Sequence, residues 1–136
     1  MSRKPVALLW WEKSQEDEWM ARRAMIVPEL PASAAFHAQQ AVEKAFKACL
    51  IAQGRRVEAT HHLSRLRERL LATHPVIQTE ISDFDCAILS RYAVSVRYPS
   101  LVEVTSEESW NAIALATRFC RLMRHAPESQ TGRRRE

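Results

Sequence analysis

Two arginines and a tyrosine lie within eight residues of one another in the second half of the chain, at Arg91, Arg97 and Tyr98. The planar guanidinium group of arginine can bind two phosphate oxygens at once, and a tyrosine hydroxyl can donate a further hydrogen bond. We therefore expect these three side chains to bind a phosphate-bearing ligand. Lys44 and Lys47, near the middle of the chain, are further candidates for contact with the same ligand.

The histidines are possible metal ligands, but their spacing does not favour a metal site. Glu58 and His61 have the Glu-x-x-His spacing of di-iron helical bundles. Such a site needs a second Glu-x-x-His pair and two more inward glutamates, and the sequence contains no second pair. We therefore expect no metal, and we interpret His61 as a residue that caps a helix or lies at the edge of the core. His37 is interpreted as structural, although folding could bring it towards Arg91.

The composition excludes several common sites. The only glycines are Gly54 and Gly132, so the chain has no glycine-rich loop of the kind that binds nucleotide phosphates. No Gly-x-Ser-x-Gly sequence is present, and Cys49, Cys86 and Cys120 lie far apart at apolar positions of predicted helices. We expect buried free thiols rather than disulfides or zinc ligands, and we expect no cofactor.

The length and charge indicate one domain that can contact phosphate-rich partners. The chain has 136 residues, the size of one ordinary domain, and its net charge of +4 is compatible with binding to nucleic acid. Part of this charge lies at the C-terminal end, in Arg133, Arg134 and Arg135. We expect a folded domain at residues 1–125 and a disordered basic tail at residues 126–136. Since no membrane span or signal peptide is evident, we expect a cytoplasmic protein without membrane contact.

Hydrophobic periodicity predicts a central helix over residues 33–53, which Ser33 can cap. A seam of small residues follows one side of this helix at alternating steps of three and four: Ala35, Ala38, Val42, Ala45, Cys49 and Ala52. Small residues allow neighbouring helices to approach closely. A polar strip beside the seam contains Glu43 and Lys47, whose spacing suits an ion pair across one helical turn.

Further helices are predicted on both sides of the central helix. The three–four rhythm predicts a first helix over residues 7–26, and a third over residues 60–75, which begins with a threonine that can cap it. A fourth is predicted over residues 77–97, with one apolar face made by Ile77, Ile81, Phe84 and Ile88. Thr105 and Glu108 form a capping-box pattern for a fifth. The sequence therefore predicts an all-α fold, an up-and-down bundle of four to five antiparallel helices.

Four segments also carry a family resemblance. Residues 36–48 read Phe-His-Ala-Gln-Gln-Ala-Val-Glu-Lys-Ala-Phe-Lys-Ala, residues 60–66 begin Thr-His-His-Leu, and residues 89–99 end Arg-Tyr-Pro. In this order, they resemble the signature helix, the Thr-His-x-Leu helix start and the Arg-Tyr-Pro segment of the HEPN domain family (higher eukaryotes and prokaryotes nucleotide-binding). Residues 11–21 resemble the first helix of the family more loosely. The matches span residues 8–125 in the family's order.

The resemblance implies where a ribonuclease site would lie. In many HEPN proteins an arginine and a histidine four to six residues apart form a metal-independent ribonuclease site across a dimer. The arginine stabilises charge on the phosphate, and the histidine takes the proton of the attacking 2′-hydroxyl. Here the positions five to seven beyond Arg91 are Val96, Arg97 and Tyr98, and tyrosine, with a pKa of ~10, is a poor base at neutral pH. We therefore expect binding rather than cleavage, with Arg91 and Tyr98 as the catalytic candidates if cleavage occurs.

The resemblance leaves three functions open. We favour a homodimer that binds a nucleotide or another phosphate-bearing ligand and is the partner of a minimal nucleotidyltransferase in a toxin–antitoxin-like pair. This choice depends on the segment 97–99, which resembles the form of the family found beside nucleotidyltransferases. The alternatives are an endoribonuclease toxin with a divergent active site and a helical scaffold without a ligand. Trp10, Trp11 and Trp19 cannot all face one small core, so at least one is either partly exposed at the rim of the core or part of a dimer or partner surface. The excess of tryptophan is one reason to expect a homodimer.

Overall fold

The chain folds into helices joined by turns and loops. This computed structural model describes residues 4–26, 29–95 and 103–128. Within these ranges no β-strand occurs, which confirms the predicted all-α class. In chain order, the helices are α1 (Val6–Arg23), α2 (Pro31–Ala52), α3 (Leu63–Leu71), α4 (Ile77–Glu80), α5 (Asp83–Ser90), α6 (Tyr92–Ser95), α7 (Ser106–Met123) and α8 (His125–Glu128).

The central helix α2 begins at a proline and is followed by a glycine. Pro31 lies in its first turn, where the missing N–H is not needed, and no side chain caps this end. The prediction that Ser33 caps the helix is wrong, because the helix has already begun at Pro31. Gly54 follows the C-terminal end with a φ of +73°, a conformation that glycine adopts without steric cost.

Helix α2 lies between α1 and α7, and its small residues make this close packing possible. The carbonyl of Ala41 accepts a hydrogen bond from Ser14 Oγ of α1 at 2.7 Å and lies 3.7 Å from Cys120 Sγ of α7. The predicted seam is buried along most of its length, at Ala35, Ala38, Val42, Ala45 and Cys49. The short connection between α1 and α2 makes these two helices antiparallel neighbours.

The longer segment 53–62 returns along α2 before α3 begins. At one end of α3, the backbone carbonyl of His61 accepts a hydrogen bond from Gln39 Nε2 at 3.3 Å. At the other end, Thr73 Oγ1 donates to Gln53 Oε1 at 2.9 Å. The return therefore lets α3 run in the same direction as α2 and brings His61 beside the middle of the central helix.

The start of α3 lies two residues later than the sequence predicts. Thr60 is not its cap; the threonine hydroxyl accepts the N–H of His62 at 3.1 Å within the preceding loop. This local turn competes with helix formation, and His62 therefore occupies the N-cap position of α3. The N–H of Leu63 then donates to Ser90 Oγ at 2.9 Å, which joins the start of α3 to the end of α5.

The predicted fourth helix, residues 77–97, is divided into α4, α5 and α6 as far as residue 95. Ile81 is extended, with a φ of −127°, and the next residue, Ser82, starts α5 by accepting the N–H of Asp85 at 3.0 Å. The serine side chain competes with the helical backbone, so the helix restarts here instead of continuing. As a result Phe84, predicted to be buried, is 73% exposed.

Helix α7 begins with the predicted capping box. Thr105 Oγ1 accepts the N–H of Glu108 at 3.1 Å, and Glu108 Oε1 accepts the N–H of Thr105 at 2.9 Å. The short helix α8 follows α7 and contains the buried Pro127. It includes the first residues of the segment 126–136, which the sequence predicts to be a disordered tail. Residues 129–136 lie outside the described residues.

The cysteines and tryptophans have different environments. All three cysteines are buried free thiols, as predicted, and burial raises the pKa of each to about 12. Trp11 belongs to the core, whereas Trp19 is 61% exposed. Across the part of the chain that the structure describes, no helix combines the length and apolar character needed to cross a membrane.

Candidate functional site

Arg91 lies in the turn between α5 and α6. Its backbone N–H donates to the carbonyl of Ile88 at 3.2 Å, which fixes the turn, and its side chain is exposed. The guanidinium group makes no hydrogen bond or ion pair with any residue in the described ranges. Its five N–H donors are therefore available to a ligand.

A cleft of about 480 Å³ opens beside Arg91, between α5 and α7. Its volume lies within the range of small-molecule sites in proteins. Apolar side chains from both helices form part of its wall, including Ile88 and Leu115. Its polar lining consists of Asp85, Arg91, Tyr92, Glu108, Asn111 and Arg118.

The two arginines of this cleft differ in how strongly they are held. Arg118 Nη1 donates to the carbonyl of Glu80 at 2.8 Å, and its Nη2 lies 3.8 Å from Asp85 Oδ2. Arg118 is thus anchored by internal partners, whereas Arg91 has none among the described residues. Burial and the nearby Glu108 carboxylate raise the pKa of Tyr92, so its hydroxyl stays neutral at neutral pH.

The other predicted contacts of this site cannot be placed beside Arg91. Arg97 and Tyr98 lie outside the described residues, as does Val96. Lys44 and Lys47 do not line the Arg91 cleft. Both lysines instead have carboxylate partners within the protein.

Lys44 belongs to a cluster between α1 and α2. Asp17 Oδ2 lies 2.7 Å from Lys44 Nζ, and Asp17 Oδ1 lies 2.8 Å from His37 Nδ1. Burial alone would raise the pKa of Asp17, but the hydrogen bonds from His37 and Lys44 outweigh it, so the pKa is lowered. His37 is therefore tied to α1 and does not line the Arg91 cleft.

Lys47 belongs to a second cluster, which also contains Glu43, His61, Gln39 and Trp10. The predicted pair of Glu43 and Lys47 is confirmed, with 2.8 Å between Oε2 and Nζ. It is buried rather than solvated, with side chains only 4% and 8% exposed. The other carboxylate oxygen lies 3.0 Å from His61 Nδ1 and accepts from Gln39 Nε2 at 3.1 Å. Lys47 Nζ also lies 5.6 Å from the centre of a Trp10 ring, within the range of a cation–π contact.

The pKa of Glu43 reflects these contacts. Burial alone would raise it, but the hydrogen bonds from Lys47, His61 and Gln39 prevail and lower it. Glu43 is therefore ionised at neutral pH. Like Asp17, it links a histidine and a lysine through one buried carboxylate.

A second cleft, of about 430 Å³, opens where His61 lies. Its polar lining comprises Gln40, Thr60, His61, His62 and Ser90, and Phe36, Ala59, Ala93 and Val94 form its apolar part. The segment 88–94 contributes to both clefts, since Arg91 and Tyr92 face the first while Ser90 and Ala93 face the second.

The two carboxylate–histidine pairs were not predicted. Asp17 and His37 are twenty residues apart, and Glu43 and His61 are eighteen apart, so no short motif links either pair. The sequence held a signal of a buried carboxylate for Glu18, which belongs to neither pair, because the three–four rhythm of α1 places it on the buried side of the helix, where a carboxylate needs partners. Glu18 is indeed 9% exposed, and its carboxylate accepts from Thr117 Oγ1 at 3.2 Å.

The carboxylates and histidines of these clusters are not arranged as metal ligands. Within residues 4–26, 29–95 and 103–128, no three His, Cys, Asp or Glu side chains are grouped so that they could hold a metal ion. In each carboxylate–histidine pair, the carboxylate also forms an ion pair with a lysine.

A comparison with protein families identifies the chain. The model of the HEPN domain matches residues 7–126. The chain belongs to the HEPN domain family. The match confirms the family resemblance, and it includes both clefts and both carboxylate–histidine pairs of this HEPN domain.

A solved structure supports the fold of this HEPN domain. The crystal structure of TT1696 from Thermus thermophilus is similar, with a TM-score of 0.72 and 24% sequence identity. The alignment covers 90% of this chain and 98% of that one. A comparison with curated proteins gave no match.

Proposed function

We propose that this HEPN domain binds a nucleotide or another phosphate-bearing ligand in the cleft beside Arg91. The observation that carries the proposal is the exposed Arg91 guanidinium, which has no partner among the described residues, at the edge of a cleft of about 480 Å³. A guanidinium group without a partner inside the protein is suited to a charged ligand, because binding of the ligand breaks no ion pair within the protein. Asn111 and Arg118 add donors on the α7 side.

Arg97 and Tyr98 are proposed as further ligand contacts, because they follow Arg91 by six and seven residues. Lys44 and Lys47 are weaker candidates. Each would have to leave a carboxylate, that of Asp17 or Glu43, before it could contact a phosphate. The proposed site therefore depends chiefly on Arg91.

We further propose that the protein acts as a homodimer and as the partner of a separately encoded minimal nucleotidyltransferase. Apolar side chains remain exposed on α1 and in the turn after it, namely Trp19, Met20, Ile26 and Leu30. Such a surface favours association. Light scattering at micromolar concentration should give the mass of two chains. The nucleotidyltransferase should co-purify with this protein when a reading frame for it lies beside this one, and a monomer that retains no such partner would contradict the proposal.

Calorimetric titration with ATP and with a dinucleotide at low and moderate salt tests the ligand site. Arg91→Ala should weaken binding about tenfold or more, because a charge-assisted hydrogen bond contributes ~1.5 to 3 kcal/mol. The matched control is Arg121→Ala, which removes the same charge from an exposed position of α7 that does not line the cleft. Absence of binding, or equal weakening by both substitutions, would contradict the ligand site and favour a helical scaffold without a ligand.

A further inference from the structure

The cleft beside Arg91 has charged groups at both ends. At one end, Arg118 Nη2 lies 3.8 Å from Asp85 Oδ2. At the other, burial and the Glu108 carboxylate raise the pKa of Tyr92 while Arg91 lowers it, so these three side chains lie close together. Helices α5 and α7 therefore run antiparallel along the cleft, and each end combines one arginine with one carboxylate.

The two carboxylates of the cleft differ in their hydrogen bonds. Glu108 Oε1 accepts the N–H of Thr105 at 2.9 Å, so it serves the cap of α7. The Asp85 carboxylate accepts no hydrogen bond within the described residues, since the 3.8 Å to Arg118 exceeds the length of a hydrogen bond. Its side chain is nevertheless only 27% exposed. A carboxylate that is largely withdrawn from water and has no donor is suited to a ligand that supplies donors.

Arg118 places a donor beside these two acceptor oxygens. Its Nη1 donates to the carbonyl of Glu80 at 2.8 Å, and its guanidinium carbon lies 5.1 Å from the centre of the Phe119 ring. These contacts hold the side chain, while Nη2 makes no hydrogen bond within residues 4–26, 29–95 and 103–128. Asp85 and Arg118 therefore present two acceptors next to one donor, and a complementary ligand needs two donors next to one acceptor.

Among the nucleobases, guanine has this pattern along one edge. Its 2-amino group and its N1–H are adjacent donors, and its O6 is the acceptor beside them. Arginine is a common partner of guanine O6, and an ionised carboxylate can accept from both donors. Adenine has a single donor there, its 6-amino group, next to the N1 lone pair, which a carboxylate repels. Uracil has one N–H between two carbonyls, and cytosine has one amino group next to two acceptors, so neither supplies two adjacent donors.

The shape of the cleft suits a mononucleotide. Asp85 and Arg91 are six residues apart on α5 and the turn after it, which corresponds to about 9 Å along a helix axis. This length is comparable to that from the phosphate to the far edge of the base in a mononucleotide. Between the two ends, Ile88 of α5 and Leu115 of α7 provide apolar walls. Proteins that bind a single base hold its ring between apolar or aromatic side chains.

We propose that the cleft selects guanine nucleotides through Asp85 and Arg118. This inference rests on the proposed function, because the phosphate of the nucleotide is placed at Arg91. Asp85 accepts from N1–H and the 2-amino group, Arg118 Nη2 donates to O6, and the ring lies between Ile88 and Leu115. Preference for the base is thus assigned to one end of the cleft and affinity for the phosphate to the other.

The first test is calorimetric titration of the wild-type protein with the 5′-monophosphates of guanosine (GMP), inosine (IMP) and adenosine (AMP). GMP should bind about tenfold or more tightly than AMP, as expected when a bidentate contact distinguishes two bases. IMP keeps N1–H and O6 but lacks the 2-amino group, so its affinity should lie between the two. Equal affinities for GMP and AMP, or tighter binding of AMP, would overturn the assignment.

The second test compares two aspartates in the first turn of α5. Asp85→Asn replaces one acceptor oxygen with an NH2 group, which opposes a donor of guanine, so GMP should bind about tenfold or more weakly. AMP affinity should change by no more than about twofold, the effect of one charge on the phosphate. The matched control is Asp83→Asn, which removes the same charge from an exposed position outside the cleft and should keep the wild-type ratio of the two affinities.

The ratio of GMP to AMP affinity is measured on one protein sample, so a loss of folded protein does not change it. An unchanged ratio in Asp85→Asn, or the same change in Asp83→Asn, would overturn the role of Asp85. Should Asp85→Asn fail to fold, the order of GMP, IMP and AMP on the wild type still decides the base preference.

Failure of this inference can be separated from failure of the proposed function. If GMP and AMP bind equally and Arg91→Ala weakens both, the phosphate site stands and the guanine assignment is wrong. Guanosine and adenosine lack the phosphate and report the base alone. If guanosine binds more tightly than adenosine and Arg91→Ala leaves GMP binding unchanged, the guanine assignment stands and Arg91 is not the phosphate contact. Absence of binding by all of these compounds would overturn both.

Discussion

At the interface of α1 and α2, each lysine of the central helix has a carboxylate partner, whereas at the turn between α5 and α6 the guanidinium group of Arg91 has none among the described residues. The difference follows from burial. A lysine that packs against a neighbouring helix must be neutralised, because an unpaired charge in a low-dielectric interior is very costly. An arginine at an exposed turn is solvated and needs no partner. Cations in the first region therefore serve the fold, and the cation in the second is free for a ligand.

The largest expected effect comes from removing a carboxylate in the first region. Glu43→Ala leaves Lys47 buried without a counter-charge and His61 without its partner. We expect the free energy of unfolding to fall by about 3–5 kcal/mol, as is usual when one member of a buried pair is removed. Urea denaturation followed by circular dichroism would measure it. The control is Glu16→Ala, whose carboxylate is exposed and 3.5 Å from Lys13, and which should change stability by less than about 0.5 kcal/mol.

The next largest effect is expected on the free energy of unfolding as the pH is lowered. For Asp17 and Glu43 burial raises the pKa, but their hydrogen bonds outweigh it, and the pKa of each is lower in the folded protein than its ordinary value of 3.8 or 4.5. Their contribution to stability is therefore complete above about pH 4.5 and is lost as the pH falls through the folded pKa values. We expect the free energy of unfolding to decrease steeply below this pH, and Asp17→Asn to make the decrease shallower. Parallel curves for the two proteins would show that Asp17 is not held by His37 and Lys44.

A smaller effect is expected from a substitution of Glu108. Its carboxylate lines the Arg91 cleft and also belongs to the capping box of α7. Glu108→Gln keeps the acceptor oxygen that bonds the N–H of Thr105, and glutamine suits a capping box as well as glutamate. It also removes a negative charge from the cleft. If the cleft binds phosphate, affinity should rise about twofold, the effect of one exposed charge, with little change in stability. Weaker binding of ATP by this variant in calorimetry would argue against an anionic ligand.

The smallest expected effect is on the stability of the Arg91 variant. Because the guanidinium group has no internal partner among the described residues, Arg91→Ala should change the free energy of unfolding by less than about 0.5 kcal/mol. Thermal unfolding of wild type and variant in the absence of ligand would measure it. A loss of more than about 1 kcal/mol would mean that Arg91 serves the fold, as Lys47 does, and the contrast between the two regions would disappear.

Local patterns in the sequence predicted much of the fold. The seam on α2, the capping box at Thr105 and the ion pair of Glu43 with Lys47 depend on spacings of three or four residues, and all three are confirmed. The break at Ser82 was missed, because apolar periodicity continues across it and only the competition of the serine side chain with the backbone stops the helix.

The site was less predictable, because its contacts join distant parts of the chain. The pairing of His61 with Glu43 depends on the path of segment 53–62, which no residue spacing encodes. The chemical character of Arg91 could be predicted from its type, but the absence of a partner among the described residues depends on its place in the turn after α5, beside the cleft that separates α5 from α7. Arg97 and Tyr98 remain predictions.

The burial of the cysteines makes the protein convenient for site-directed labelling. Burial raises the pKa of each native thiol to about 12 and shields it from solvent, so each thiol is protonated at neutral pH and maleimide reagents should leave Cys49, Cys86 and Cys120 unmodified. A single cysteine introduced at the exposed Gln78 would then be the only reactive thiol in the described part of the chain. Spin labels there would give one inter-label distance in a two-fold dimer, and a few such positions would locate its axis without any change to the native sequence elsewhere.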